Sequence, residues 1–279
     1  MEDAFRVAEK LNEDGLEAII NFLGEEVKDR TQVRDNVNIY TAVIRRIYHQ
    51  KLRARISVKP SQLGLKINPR FYWLQLWQVG RSAFLFNVSL EIDMGTEDTV
   101  AETVQGTIAL AKNFSGLDLR QTMAMNFKDS FVHLYNLTAA GVKVRLSKGA
   151  YSSKYSEKNI AGKFYSATSW LLRMKADQDI ATHDLGLLYL IRTLRERLYK
   201  SLGSDDAVPP DPSVQELIPC GFQFFLGLRK RTWKKLVKEG ERVAVCVPFG
   251  SNWLPYAKRR WKYVIKKIPS MIMDEIAGK

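Results

Sequence analysis

In WLPYAKRRW, Tyr256 and Arg259 stand three apart and Tyr256 and Arg260 four apart, so on a helix they share one face. Two adjacent guanidiniums present planar donor forks that suit a carboxylate or a phosphate. An isolated Arg-Arg pair can equally be a solvated helix surface. What gives this pair weight is its company. Lys59 and Asp93 each close a short apolar run that reads as a strand. A lysine and an aspartate buried at strand ends must pair with each other or with a ligand. Arg145 and Lys148 lie three apart on another strand pattern and so point to opposite faces. An inward Arg145 needs an anion or a polarisable ring above it. Thr182 and His183 follow a further apolar strand, where the histidine reads either as a satisfied core residue or as a ligand contact. Gln121 sits within a strand pattern of its own.

The elements that must carry these residues alternate. Candidate strands are Glu17–Leu23, Arg55–Lys59, Ala83–Met94, Arg120–Met125, Lys143–Lys148, Asp179–Thr182, Gln223–Phe225 and Val243–Pro248. Helical patterns lie between them at Val33–Lys51, Thr99–Lys112, Lys128–Ala140, Ile160–Lys175, Leu185–Leu202 and Arg229–Glu239, with a last one from Asn252 to Ile276. Strands that read as continuous apolar runs are covered on both faces, and their alternation with helices predicts a parallel sheet closed into a (β/α)8 barrel. An open doubly wound sheet would usually carry a Gly-rich phosphate loop after its first strand, and LGEEV is not one. In a barrel the functional groups gather at the C-terminal ends of the strands, where Lys59, Asp93, Thr182 and His183 fall.

The 279 residues fit a single barrel domain spanning 1–279, and 46% hydrophobic with 26% charged residues is ordinary globular composition. GSDDAVPPDPS (203–213) reads as a surface loop, not a linker. Cys220 and Cys246 sit in apolar segments without a CxxC, which fits a reducing cytoplasm. Scattered histidines predict no zinc site. The acidic, amphipathic start is neither a signal nor a transit peptide, and no apolar stretch is long enough to cross a bilayer. The net charge of +13 concentrates in RKRTWKKLVK (229–238) and KRRWKYVIKK (258–267), whose helical spacing makes them amphipathic helices first. No nucleic-acid motif accompanies them, so nucleic acid is not an expected partner. An anionic membrane surface is another candidate, and a peripheral position at the membrane stays open.

Several blocks resemble the proline dehydrogenase family. RLSKGAY (145–151) is similar to that family's RLVKGAY motif, and VPFGSNWLPYAKRRW (247–261) resembles its C-terminal signature. ISVKPSQLGL (56–65), NFLGE (21–25), EIDM (91–94), ATHD (181–184) and FQFFLG (222–227) match further blocks in the same order. The likeness runs from about residue 5 to 270, without the helices that usually precede the family's first strand. It implies a (β/α)8 barrel holding FAD at its mouth and oxidising L-proline to 1-pyrroline-5-carboxylate. Arg259, Arg260 and Lys59 would grip the carboxylate, with Tyr256 on the same helix face. Asp93 would pair with that cationic group. Arg145 and Gln121 would lie against the flavin. Thr182 and His183 would help hold it, with Lys148, Gly149 and Ala150 at its phosphates. A membrane quinone is the candidate electron acceptor.

The sequence departs from the family where Cys246 stands for a tyrosine, Gly221 for a glutamate and Phe249 for the tyrosine of the turn, and where GTED follows EIDM. Losing a ring at Cys246 would enlarge the pocket, so a relative acting on another cyclic or N-substituted amino acid is the second reading. A barrel that binds nucleic acid or membrane without redox chemistry is the third. Lys59, Arg145 and the paired arginines together argue against it.

Overall fold

The computed structural model describes residues 1–24, 27, 29–149, 155–201 and 218–251. The expected loop at 203–213, the expected last helix at 252–276, and Ala150, Tyr256, Arg259 and Arg260 lie outside the described residues.

Eight parallel strands close into a barrel in sequence order, the first pairing with both the second and the eighth. They are β1 (Glu17–Phe22), β2 (Ala54–Val58), β3 (Ser89–Ile92), β4 (Leu119–Ala124), β5 (Lys143–Ser147), β6 (Gln178–Ala181), β7 (Cys220–Phe225) and β8 (Arg242–Phe249). Among the described residues the α-helices are α1 (Glu2–Glu13), α2 (Arg30–His49), α3 (Pro69–Leu85), α4 (Val100–Asn113), α5 (Ser130–Ala139), α6 (Glu157–Arg173), α7 (Leu185–Lys200) and α8 (Lys230–Lys238).

Two elements correct the sequence expectation. The third strand is Ser89–Ile92, and Ala83–Leu85 belong to α3. The apolar Ala83–Phe86 runs without a gap into Asn87–Met94, where polar and apolar residues alternate. The break falls at Asn87, whose positive φ of 49° ends the helical path. The helical patterns named above leave the stretch between the second and third strands unassigned, and α3 occupies it. Asn68 caps it by accepting from the Phe71 amide at 3.0 Å, and Pro69 fills its first position, where a missing N–H costs nothing.

The main apolar core lies between sheet and helices. Ala18, Ile20, Ile56, Val58, Leu90, Ile92, Val144, Leu146, Val245 and Val247 pack outward against residues such as Tyr40, Tyr72, Leu134 and Phe164. The alternate strand residues point into the barrel. Among the described residues a small apolar cluster stands there: Ile19, Ala244 and Cys246, with Phe225 against them. The rest of the lumen is rich in charged and polar side chains, where a barrel of this kind usually stacks branched aliphatic side chains.

Candidate active site

The lower lumen is an ion-pair network. Arg55 reaches Asp179 at 2.7 Å and Glu91 at 3.5 Å, and also binds Glu17. Asp179 further meets Arg120 at 3.3 Å and Arg242 at 3.1 Å. Gln223 donates from one amide nitrogen to Glu91 at 2.7 Å and to Asp179 at 2.8 Å. Burial alone would raise the Asp179 pKa, but Arg120, Arg55 and Arg242 overcome it and hold the carboxyl far below the usual range. Each buried charge thus has opposite charges around it, the condition under which such a cluster is tolerated.

Arg145 links this network to the mouth. Its guanidinium lies 3.6 Å from Glu91 below and 3.6 Å from Asp93 above, and donates to Thr122 Oγ1 at 3.2 Å. Burial opposes its charge, yet Glu91 and Asp93 keep its pKa above the ordinary value. Of the pair Arg145 and Lys148, Arg145 is the inward one, and the anions it requires are these two carboxylates.

Lys59 follows β2 directly, and the Asp93 amide donates to the Val58 carbonyl at 2.8 Å. The second and third strand ends therefore bring Lys59 and Asp93 side by side at the rim. The Lys59 ammonium donates to the Asn21 side chain and to the Phe22 carbonyl at 2.7 Å. Its backbone amide donates to the buried Tyr40 hydroxyl at 3.2 Å. Burial raises the Tyr40 pKa, so the phenol stays neutral and hydrogen-bonding. Asn21 also donates to Cys246 Sγ at 3.4 Å, so Cys246 faces the lumen beside the group that holds Lys59. Asp93 pairs with Arg145, and its expected pairing with the cationic group of Lys59, Arg259 and Arg260 falls partly on residues outside the described ones.

A second group gathers after β5 and β6. Lys148 binds Asp184 at 2.7 Å, and Asp184 caps α7 by accepting from the Leu187 amide at 3.1 Å. Thr182 is buried, and its hydroxyl accepts from the Asp184 amide at 3.3 Å. The His183 ring lies against Phe224 and Phe225, with centroids 5.8 and 5.4 Å away. Gly149 has a φ of 116° and passes so near Asn126 that a Cβ would lie 2.2 Å from its Oδ1, so only glycine fits.

Gln121 does not join either group. It is fully buried and accepts from Thr107 of α4 at 2.6 Å, turned into the sheet–helix interface. Its neighbour Thr122 is the β4 residue that faces the lumen and holds Arg145. The expected flavin contact at Gln121 is corrected accordingly: the strand's alternation places the neighbouring residue inward.

Sequence reasoning missed Asn21, Tyr40, Glu91, Thr122, Asp179 and Gln223. Glu91 and Asp179 carried a signal, since an acid inside an otherwise apolar strand must be paired. Asn21 opens the NFLGE block, whereas Tyr40 carried no signal that separates it from an ordinary core polar residue.

The arrangement defines a parallel (β/α)8 barrel whose C-terminal rim gathers cations around an opening fed by a buried charge network. No family model matches the chain. It is 25% identical over 258 residues to proline dehydrogenase 2 of Bacillus subtilis (strain 168), covering 90% of this chain and 79% of that protein. It is 23% identical over 266 residues to proline dehydrogenase 1 of Bacillus subtilis subsp. natto, covering 93% and 82%. Among solved structures it is similar to proline utilization A from Bdellovibrio bacteriovorus inactivated by N-propargylglycine, with a TM-score of 0.81 at 17% identity over 93% of this chain. Proline utilization A from Corynebacterium freiburgense gives 0.78 at 15% identity over 99%. The chain spans 31% of each of those two solved chains, so that likeness concerns the barrel alone. The sequence likeness along nine-tenths of the chain, with the closed barrel, supports a divergent member of the proline dehydrogenase family.

Proposed function

We propose that the chain is an FAD-dependent dehydrogenase that oxidises L-proline to 1-pyrroline-5-carboxylate. The observation that carries this reading is the convergence of Lys59, Asp93 and Arg145 at one barrel mouth in a chain similar to proline dehydrogenases. When bound, the flavin would accept the hydride from the ring carbon next to nitrogen.

The residues present suit such a group. Lys148, paired with Asp184, would supply a cation for its phosphates, and Thr182 and His183 would help hold it. Gly149, at a φ that only glycine takes readily, would turn the backbone there, and Ala150 follows it. Arg145, held charged between Glu91 and Asp93, provides a fixed positive charge inside the lumen, where oriented charge acts strongly. Lys59, fixed by Asn21 and the Phe22 carbonyl, would bind the substrate carboxylate together with Arg259 and Arg260. Tyr256 would stand on the same helix face as those arginines. Asp93 would keep Arg145 in register with them. The expected acceptor for the electrons is a membrane quinone.

A second reading, a bulkier cyclic or N-substituted amino acid, is favoured by the small Cys246 side chain in the lumen. The test is a dye-linked assay with proline, hydroxyproline, pipecolate and N-methyl amino acids, alongside identification of the cofactor released on denaturation. Turnover of proline with released FAD is the expected result. FMN, or a colourless protein that takes up no FAD, would overturn the assignment.

A further inference from the structure

Lys59 is tied at both ends into one closed ring of hydrogen bonds. Its backbone amide donates to the Tyr40 hydroxyl at 3.2 Å. That hydroxyl passes its own proton on to Gln62 Oε1. The other end of the Gln62 amide donates from Nε2 to the Phe22 carbonyl at 3.4 Å. The same carbonyl accepts from the Lys59 ammonium at 2.7 Å. The ring therefore leaves Lys59 by its main chain and returns to it by its side chain. Its direction is fixed by the groups themselves. A phenol has one proton, and once that proton goes to Gln62 Oε1 the amide nitrogen must face Phe22.

The surroundings hold the ring in place. Tyr40 and Gln62 are fully buried. Gln62 stands on the short 3-10 turn Pro60–Leu63 that follows β2. Its backbone amide donates to the Lys59 carbonyl at 3.0 Å, and its own carbonyl accepts from Asn36 Nδ2 at 3.0 Å. The peptide that carries the Phe22 carbonyl is pinned from its other side, where the Leu23 amide donates to the Phe249 carbonyl at 2.7 Å. A Cβ at Gly24 would lie 2.4 Å from Gln62 Nε2, so the glycine leaves room for the amide. Any buried glutamine needs partners at both ends of its amide. Both partners of Gln62 lie on the path to one ammonium.

Lysine carries its charge on a flexible four-carbon stem, and a cation that wanders grips a carboxylate poorly until it is aimed. The ring and Asn21 supply the aim. Tyr40, Gln62, the Phe22 carbonyl and Asn21 are all uncharged groups, so they direct the ammonium without neutralising it. We infer that Tyr40 and Gln62 are positioning residues for substrate binding, setting the direction of the Lys59 ammonium from behind without touching the substrate, an inference that rests on reading Lys59 as a ligand of the amino-acid carboxylate.

Steady-state kinetics of the flavin-loaded chain with L-proline and a dye acceptor test this in Tyr40→Phe and Gln62→Met, each alone and combined with Lys59→Ala. Each substitution alone should raise the Michaelis constant roughly threefold to tenfold, with kcat within about twofold of the parent. Added to Lys59→Ala, neither should raise it further, because both act through the ammonium. A merely structural role would lower the melting temperature while leaving the Michaelis constant alone, or would add its effect to that of Lys59→Ala. If Gln62→Met fails to fold, Tyr40→Phe, which removes a single oxygen, carries the test. Acylation of Lys59 by acetic anhydride, read by peptide mass spectrometry, needs no turnover. Lys59 should react faster in both variants than in the parent, with the other lysines unchanged. Three outcomes overturn the inference: parental Michaelis constants in both variants beside a raised one in Lys59→Ala, fully additive effects in the double variants, or an unchanged acylation rate at Lys59. A parent that does not turn over L-proline, or a Michaelis constant indifferent to Lys59→Ala, would instead overturn the functional reading, and the acylation rate would then decide the positioning role.

Discussion

The carboxylate of Asp179 on β6 occupies the space that a side chain at Gly221 on β7 would need. The two are register neighbours across the sheet, and a Cβ at Gly221 would lie 2.3 Å from Asp179 Oδ1 and 2.8 Å from Arg242 Nε. The glutamate that the family carries at this β7 position would therefore collide with the carboxylate already present. The charge at this level of the lumen comes from the neighbouring strand.

Gly221→Ala should be destabilising, because both neighbours are locked in ion pairs and cannot yield. Overpacking of this kind costs roughly 1–3 kcal/mol. Gly221→Glu should do worse, adding a second acid to a site arranged around one. Urea unfolding of both variants checks the order, and a Gly221→Ala variant as stable as the parent would mean that the lower lumen is looser than described.

Asp179→Asn should cost more, on the order of 3–5 kcal/mol, because it leaves three guanidiniums without their shared anion. The same carboxyl sets an acid limit. Its folded pKa lies below the unfolded value, and burial at Asp177 and Asp118 is likewise outweighed, by Arg120 and Arg242 in one case and Lys143 and Ser89 in the other. Such groups stabilise fully above the unfolded carboxylate pKa, about 3.9, and less as the pH falls through the folded value. Stability should accordingly hold near neutral pH and decline below about pH 5. Melting temperatures across that range, in parent and Asp179→Asn, should show a shallower decline in the variant.

Lys59→Ala should raise the Michaelis constant for the amino acid with flavin content nearly unchanged. Loss of a charge-assisted hydrogen bond costs roughly 1.5–3 kcal/mol, tenfold to more than a hundredfold in affinity. Arg259→Met and Arg260→Met should act alike. Unaltered constants in all three would remove the carboxylate grip.

Asn21→Leu should reproduce part of the Lys59→Ala effect without touching substrate, because it deletes the acceptor that aims the ammonium. Asn21→Asp keeps an acceptor oxygen and should restore much of the loss. A stability change in Asn21→Leu with no change in the Michaelis constant would make Asn21 a packing residue only.

Cys246→Tyr should shift preference toward proline relative to a bulkier analogue. The thiol faces the lumen next to Asn21, so an added ring would fill space near Lys59, and apolar filling is worth about 25 cal/mol per Å2. The ratio of catalytic efficiencies for the two substrates, in parent and variant, decides this. A constant ratio would leave the second substrate reading without its main support.

The sequence by itself determined the barrel. Short apolar runs alternating with helical periodicity fix parallel strands covered on both faces, and the polar residues after each run follow the strand ends, which is why the positions of Lys59, Asp93, Lys148, Thr182 and His183 along the strands were legible. It did not determine which alternate residues face inward. Gln121 and Thr122 are both fully buried. Nothing in their composition says that Thr122 meets Arg145 while Gln121 meets Thr107. Period two puts neighbours on opposite faces, but when both faces are closed to water the hydrophobic pattern cannot name the sides. Barrel closure decided that, by fixing the register of each strand on the next. The same closure brought Glu91, Asp179 and Gln223 together from three strands, and it made Gly221 the residue that leaves room for them.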